Sequence, residues 1–258
     1  ARRAELQSLR DHSVFEWVPR SEVGHDSLVS SRWVEANKPD RVKARLVARG
    51  NEQGDTEEQV FAPTAQAMIP KLLLALERRD RRGKPLRDRG VCICDVSTAF
   101  LHAPRDSEER VFVAPPKEVI QWARESGEIE RGDMVWKIRR AIYGLKASPR
   151  DWYLHLRRLL EEQSWRVPER EPCVFVKGQV RMSIHVDDLF LVGDLAEIEC
   201  VVSELAGAVT LKARVIRADE TAEWEYLGRV FKQEKGEYFV GMSSRYIESL
   251  LQEHDMEG

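Results

Sequence analysis

Apolar residues recur along this chain with two periods, and the alternation between them lays out the elements. Leu72, Leu73 and Leu76 fall at helical spacing behind Pro70, so residues 69–79 are predicted as a helix with proline in its first turn. Trp152, Leu156, Leu159 and Leu160 form one stripe behind Ser148-Pro149. That pair suits a helix start, because serine can cap free N–H groups and proline fits the first helical position. Asp194, with Glu197 three residues on, predicts a capped helix through residue 205, and Tyr246, Ile247, Leu250 and Leu251 predict a last one.

Short apolar runs at 42–49, 91–94, 111–113, 135–138, 174–176 and 182–186 read as strands. Residues 189–192 follow almost at once, so 182–192 is predicted as a tight hairpin turning on Asp187-Asp188. Residues 226–231 and 238–242 predict a second hairpin around Lys235-Gly236. Residues 1–40, broken by Pro19 and Pro39, read as a polar, irregular lead-in, and 51–59 and the cation-rich 78–89 as loops. The order predicts an α+β domain whose antiparallel sheet is backed by helices on one face. A ferredoxin-like or split βαβ arrangement is the leading candidate.

Composition supports a packed core. The 258 residues are 42% hydrophobic and 33% charged, with a mean hydropathy of -0.47. No stretch approaches the roughly 18 apolar residues of a membrane span, and residues 1–30 lack a signal-peptide core. Secreted and membrane classes are therefore disfavoured. The chain begins at Ala1 without an initiator Met, and the expectation is a piece of a longer polypeptide. Cys92, Cys94, Cys173 and Cys200 lack zinc-ligand spacing and read as buried, reduced thiols. The net charge of -3 conceals a basic stretch at 137–170 and an acidic tail at 194–258. This argues against a simple DNA-coating protein but leaves room for an enzyme with one basic channel.

Chemistry concentrates at strand ends. Asp95 closes the run Val91-Cys-Ile-Cys94, and Asp187-Asp188 occupies the predicted hairpin turn. Taken singly, each aspartate also suits a turn or a helix cap. Converged, three carboxylates would repel one another unless a cation neutralised them, and magnesium takes such hard oxygen ligands. Two such ions about 4 Å apart would activate a 3′-hydroxyl and stabilise a leaving pyrophosphate.

The surrounding motifs resemble, in order, the reverse transcriptase domain of Ty1/copia-type retrotransposons. They are Lys43-Ala-Arg-Leu-Val-Ala-Arg-Gly50 with Gln53, Phe61-Ala-Pro63, Asp95-Val-Ser-Thr-Ala-Phe-Leu101, Tyr143-Gly-Leu-Lys-Ala-Ser-Pro-Arg150 with Trp152-Tyr153, His185-Val-Asp-Asp188, Tyr226-Leu-Gly228 and Tyr246-Ile247. The resemblance implies a right-hand polymerase with a ferredoxin-like palm. Asp95, Asp187 and Asp188 would be its catalytic carboxylates, binding two Mg2+ ions, with Mn2+ an alternative. It places Phe100 under the incoming sugar and Tyr143 and Gly144 against template base and nucleotide. Lys43 and Arg45 would grip the triphosphate, and His185, Leu227 and Gly228 the primer end. His185 stands where the family usually has Tyr.

The implied layout is a lead-in at 1–32, a fingers-like part at 33–90, a palm with a fingers insertion at 91–225, and a primer-grip hairpin with the start of a thumb at 226–258. The implied partners are an RNA template, a DNA primer and deoxynucleoside triphosphates, with integrase upstream and ribonuclease H downstream in a polyprotein. The expected location is intracellular, in a cytoplasmic particle or the nucleus. Two other readings stay open: a decayed or co-opted domain that binds nucleic acid without polymerising, and a ferredoxin-like palm performing nucleotidyl cyclisation.

Overall fold

The computed structural model describes residues 1–54, 60–77, 88–105, 109–130, 132–234 and 237–254. Most of the 78–89 loop, part of the 51–59 loop and the Lys235-Gly236 turn lie outside the described residues. The first elements are α1 (Arg2–Asp11), β1 (Phe15–Pro19), β2 (Ser27–Asn37), β3 (Val42–Ala48), α2 (Ile69–Glu77), β4 (Arg89–Val96) and α3 (Ala99–His102). Then come β5 (Val111–Ala114), α4 (Lys117–Glu125), β6 (Met134–Ile138), α5 (Ser148–Glu162), β7 (Val174–Lys177), β8 (Val180–His185) and β9 (Asp188–Asp194). The last are α6 (Leu195–Ala208), β10 (Leu211–Arg217), β11 (Ala222–Tyr226), β12 (Arg229–Glu234), β13 (Glu237–Met242) and α7 (Ser244–Glu253). They form two compact units, residues 1–63 with 98–163 and residues 64–97 with 164–258.

The first unit carries a mixed sheet in the order β1-β6-β5-β2-β3, with β2 and β5 parallel and the other pairs antiparallel. Strand β3 alternates, burying Ala44, Leu46 and Ala48 and leaving Lys43 and Arg45 on its other face. The irregular lead-in expected at residues 1–32 is corrected: α1, β1 and the start of β2 occupy it. Leu6 and Leu9, three apart on α1, enter a core with Val29, Leu46, Leu101, Trp136 and Ile142. One apolar pair is too little to announce a helix by periodicity. Pro19 is tolerated because β1 is an edge strand.

The second unit holds an antiparallel sheet in the order β10-β4-β9-β8-β7 and a three-stranded sheet β11-β12-β13. Val91, Phe190, Val192 and Ile216 cluster with Leu73 and Leu74 of α2 and with Trp224, Tyr226 and Phe231. The stripe expected to bury α2 is therefore rotated, and Leu72 and Leu76 are exposed. Helix α6 packs on β4, β9 and β10, burying Leu195, Ile198, Val201 and Leu205. Asp194 caps it as expected, accepting the Glu197 N–H at 3.3 Å.

The single strand expected at 226–231 is two strands. Tyr226 pairs with Arg229 across Leu227-Gly228, both with positive φ (49° and 67°), the signature of a two-residue hairpin turn. Cys92, Cys94 and Cys173 are buried, whereas Cys200 is exposed on α6. No helix among the described residues is long and apolar enough to cross a membrane.

Candidate active site

The register of β4 on β9 decides where the carboxylates go. Cys94 faces Leu189, and Asp95 faces Asp188, across an antiparallel pair. On the other side of β9, His185 of β8 faces Asp188, so the hairpin turns on Val186-Asp187, one residue earlier than expected. Val186 has φ +56°, a conformation rare for a β-branched residue. The Val96 N–H donates to the Asp187 carbonyl at 2.9 Å, tying this turn to the end of β4. All three aspartates thus belong to one end of one sheet.

Their electrostatics are unfavourable as they stand. Burial pushes the Asp188 carboxyl above its usual range, the charges of Asp187 and Asp95 push it further, and His185 pulls the other way. The Tyr226 hydroxyl donates to the Asp188 carbonyl at 3.4 Å, linking the end of β11 to the site. Sequence reading missed Lys212, which faces Asp95 from β10. Nothing local marks it, because β10 reaches β4 only through the tertiary fold. Among the described residues no three His, Cys, Asp or Glu side chains are close enough to hold a metal ion in the arrangement shown. The donor set is nonetheless one of hard oxygens, and the strain on ionised Asp188 is of the kind a cation relieves.

Within the first unit the structure brings together most of the other predicted residues. The Ala48 N–H donates to the Tyr143 carbonyl (2.8 Å) and the Gly50 N–H to the Gly144 carbonyl (3.1 Å). Gly144 has φ +94°, and a Cβ there would collide with the Ala48 carbonyl oxygen and meet Val47 Cγ1 at 2.6 Å. Only glycine fits. The Arg45 guanidinium lies 4.8 Å from the Tyr143 ring centroid, and the Phe100 ring lies 5.3 Å from Tyr143 at a 58° tilt. Lys43 sits two residues before Arg45 on the same strand face and is exposed.

Ser148 does not cap α5. Its buried hydroxyl accepts from the Ile142 N–H (3.1 Å) and donates to the Ile142 carbonyl (2.6 Å), closing the 142–148 loop on itself. Gln53 pins the same loop, its Oε1 accepting the Lys146 N–H at 3.0 Å, while Lys146 Nζ donates to the Gln53 carbonyl at 2.9 Å. A cavity of about 450 Å³ opens beside Gly144, with Arg32, Arg49, Gly50, Asn51 and Glu52 among its walls. Arg32 had no distinguishing pattern in the sequence. Glu52 is held below the usual carboxylate range by the N–H and hydroxyl of Ser30.

Two predicted primer-end residues, Leu227 and Gly228, form the β11–β12 turn next to Tyr226, and His185 is the cross-strand neighbour of Asp188.

A family model described as reverse transcriptase (RNA-dependent DNA polymerase) matches residues 20–258. The chain belongs to this family. It is 28% identical to the retrovirus-related Pol polyprotein from transposon TNT 1-94 of Nicotiana tabacum, over 99% of this chain and 19% of that protein. It is 25% identical to the transposon Ty1-DR4 Gag-Pol polyprotein of Saccharomyces cerevisiae, over 95% of this chain and 15% of that protein. Both relatives are transposon polyproteins, and this reverse transcriptase chain spans less than a fifth of the length of either.

Solved structures agree on the fold. A foamy viral protease-reverse transcriptase in complex with double-stranded DNA superposes with a TM-score of 0.51 at 15% identity, over 96% of this chain and 36% of that one. Telomerase from Candida albicans superposes with a TM-score of 0.54 at 11% identity, over 94% of this chain and 49% of that one. At such identities the likeness speaks to the reverse transcriptase fold alone.

Proposed function

We propose that this chain is the RNA-directed DNA polymerase domain of a retrotransposon polyprotein. It extends a DNA primer on an RNA or DNA template with deoxynucleoside triphosphates. One observation carries the reading: Asp95 stands opposite Asp188, with Asp187 in the adjoining turn, at one end of an antiparallel sheet. The sheet supports the palm assignment. Its β10-β4-β9-β8 order, with α6 between β9 and β10, is the strand order of a ferredoxin-like split βαβ unit. We assign 33–90 to fingers, 91–225 to the palm with a fingers insertion, and 226–258 to the primer-grip hairpin and the start of the thumb.

Asp95, Asp187 and Asp188 are the residues that would hold magnesium. When bound, the metal supplies activation of the primer 3′-hydroxyl and neutralisation of the triphosphate. The chain's own residues orient the reactants. Phe100 packs under the deoxyribose, where a ribose 2′-hydroxyl would clash with the ring. Tyr143, braced by Phe100 and Arg45, and the Gly144 backbone support the template base and incoming nucleotide. Arg45 and Lys43 attract the triphosphate. Arg32 and Arg49 give the cavity beside Gly144 the charge to hold a template phosphate. His185 and the Leu227-Gly228 turn contact the primer end.

The partners in this reading are template, primer and nucleotides, with integrase and ribonuclease H elsewhere in the same polyprotein. The site of action is a cytoplasmic particle or the nucleus. Primer extension on an RNA template with magnesium tests the reading, with template affinity measured in parallel across salt. Magnesium-dependent extension is expected. Salt-sensitive binding without any extension favours a co-opted binding domain instead.

A further inference from the structure

The first unit buries an ion pair that none of these roles uses. Arg105 Nη1 lies 3.9 Å from Asp151 Oδ2, and the two side chains are only 5% and 0% exposed. Such a pair is weak evidence for stability, since apolar residues of similar volume often serve a core as well or better. Its place in the chain is more informative.

Arg105 closes the segment that begins at α3 with Phe100. Asp151 lies in the first turn of α5, just after the loop that begins with Tyr143. The two segments run side by side. Ala141 N–H donates to the Ala103 carbonyl (2.9 Å), Arg105 N–H to the Arg139 carbonyl (3.2 Å), and the Arg140 guanidinium to the His102 carbonyl (2.6 Å). The ion pair then joins the end of the first segment to the helix that follows the second. Phe100 and Tyr143 touch within that closed circuit. At 3.9 Å the pair is a charge contact rather than a hydrogen bond, and in a buried setting that attraction is strong enough to hold the two segments together.

We infer that Arg105 and Asp151 are positioning residues that set the Phe100–Tyr143 ring contact, and through it the selection of deoxynucleotides over ribonucleotides. The inference rests on the reading of Phe100 as the ring under the incoming sugar. It concerns geometry alone, as neither side chain is placed on a substrate.

The test compares single-nucleotide incorporation of a deoxynucleotide and the matching ribonucleotide on a primed template with magnesium. Asp151→Asn is expected to lower the ratio of the two kcat/KM values about tenfold while deoxynucleotide kcat stays within about threefold. Asp151→Glu, which keeps the charge, is expected to retain most of the ratio. A variant that melts earlier but keeps the parent ratio overturns the inference, because a merely structural pair moves only the melting temperature. Should Asp151→Asn not fold, the double variant Arg105→Leu with Asp151→Leu removes both charges without orphaning either, and an unchanged ratio there overturns it equally. Phe100→Ala is measured alongside. An unchanged ratio in Phe100→Ala removes the sugar-contact reading and the inference with it. A changed ratio there, with none in the pair variants, removes the inference alone.

Discussion

Asp95 and Asp188 face each other across the β4–β9 pair, and the turn before Asp188 is tied by its Asp187 carbonyl to Val96, the residue after Asp95. Like charges directly opposite on neighbouring strands destabilise a sheet. The fold accepts that cost at one sheet end, where burial already disfavours the charged form of Asp188. A site so arranged gains from a cation.

Magnesium should therefore stabilise the protein apart from any catalysis. At a hundredfold excess over Kd, binding to the folded state alone contributes about 2–3 kcal/mol, read as a rise in Tm. Asp188→Asn should abolish most of that rise while leaving the metal-free Tm equal or higher, because one repelling charge is gone. Thermal denaturation with and without magnesium checks both. An equal metal-induced rise in the two proteins would place the cation elsewhere.

Gly144→Ala should be severe although it adds one methyl group. Its φ of +94° and the collision with the Ala48 carbonyl leave no room for a Cβ. Left-handed strain and the displaced backbone together predict a loss of about 3 kcal/mol or more. Denaturant melts measure it, and a melt like the parent's would mean that the 143–144 backbone does not approach β3 this closely.

Ser148→Ala removes the hydroxyl that both accepts from and donates to Ile142. A buried N–H and carbonyl lose a partner, at about 1–3 kcal/mol. Ser148→Thr keeps the hydroxyl and should lose less. If Ser148 instead acted as a helix cap, Asn would substitute well, whereas the Ile142 bonds predict that Ser148→Asn fails.

His155 gives a pH dependence with a definite sign. Burial lowers its pKa, and the nearby Arg140 and Arg158 lower it further. A depressed pKa means that the unfolded chain takes up the proton first. The stabilising contribution is complete above the unfolded histidine pKa of about 6.5 and is lost as pH falls through the lower folded value. His155→Gln should flatten the stability profile between about pH 7 and 5, the range in which an ordinary histidine charges. Chemical denaturation at a series of pH values checks it.

Local patterns carried much of this fold, and distance hid the rest. The β8–β9 hairpin was legible because its strands adjoin, and Asp95 because it ends an apolar run. Residues 1–32 were obscured, since α1 offers only Leu6 and Leu9 to the core and β1 is a short edge strand. The Leu227-Gly228 turn hid between Tyr226 and Phe231, whose apolar character suggested one continuous strand. The β2–β5 pairing, Lys212 beside Asp95 and the Arg105–Asp151 contact join residues far apart in sequence, and no local period encodes them. Conversely, motifs alone singled out Tyr143, Gly144 and Phe100; the structure places the Phe100 and Tyr143 rings in contact and gives the steric reason that position 144 requires glycine.

Whether Asp95, Asp187 and Asp188 carry the chemistry is decided by single-nucleotide incorporation on a primed RNA template with magnesium, for the parent and for Asp188→Asn, with template affinity measured on both. Asp188→Asn is expected to bind template as tightly as the parent and to incorporate at least about a hundredfold more slowly. Incorporation by Asp188→Asn at the parent rate would show that the chemistry lies outside the Asp95, Asp187 and Asp188 cluster.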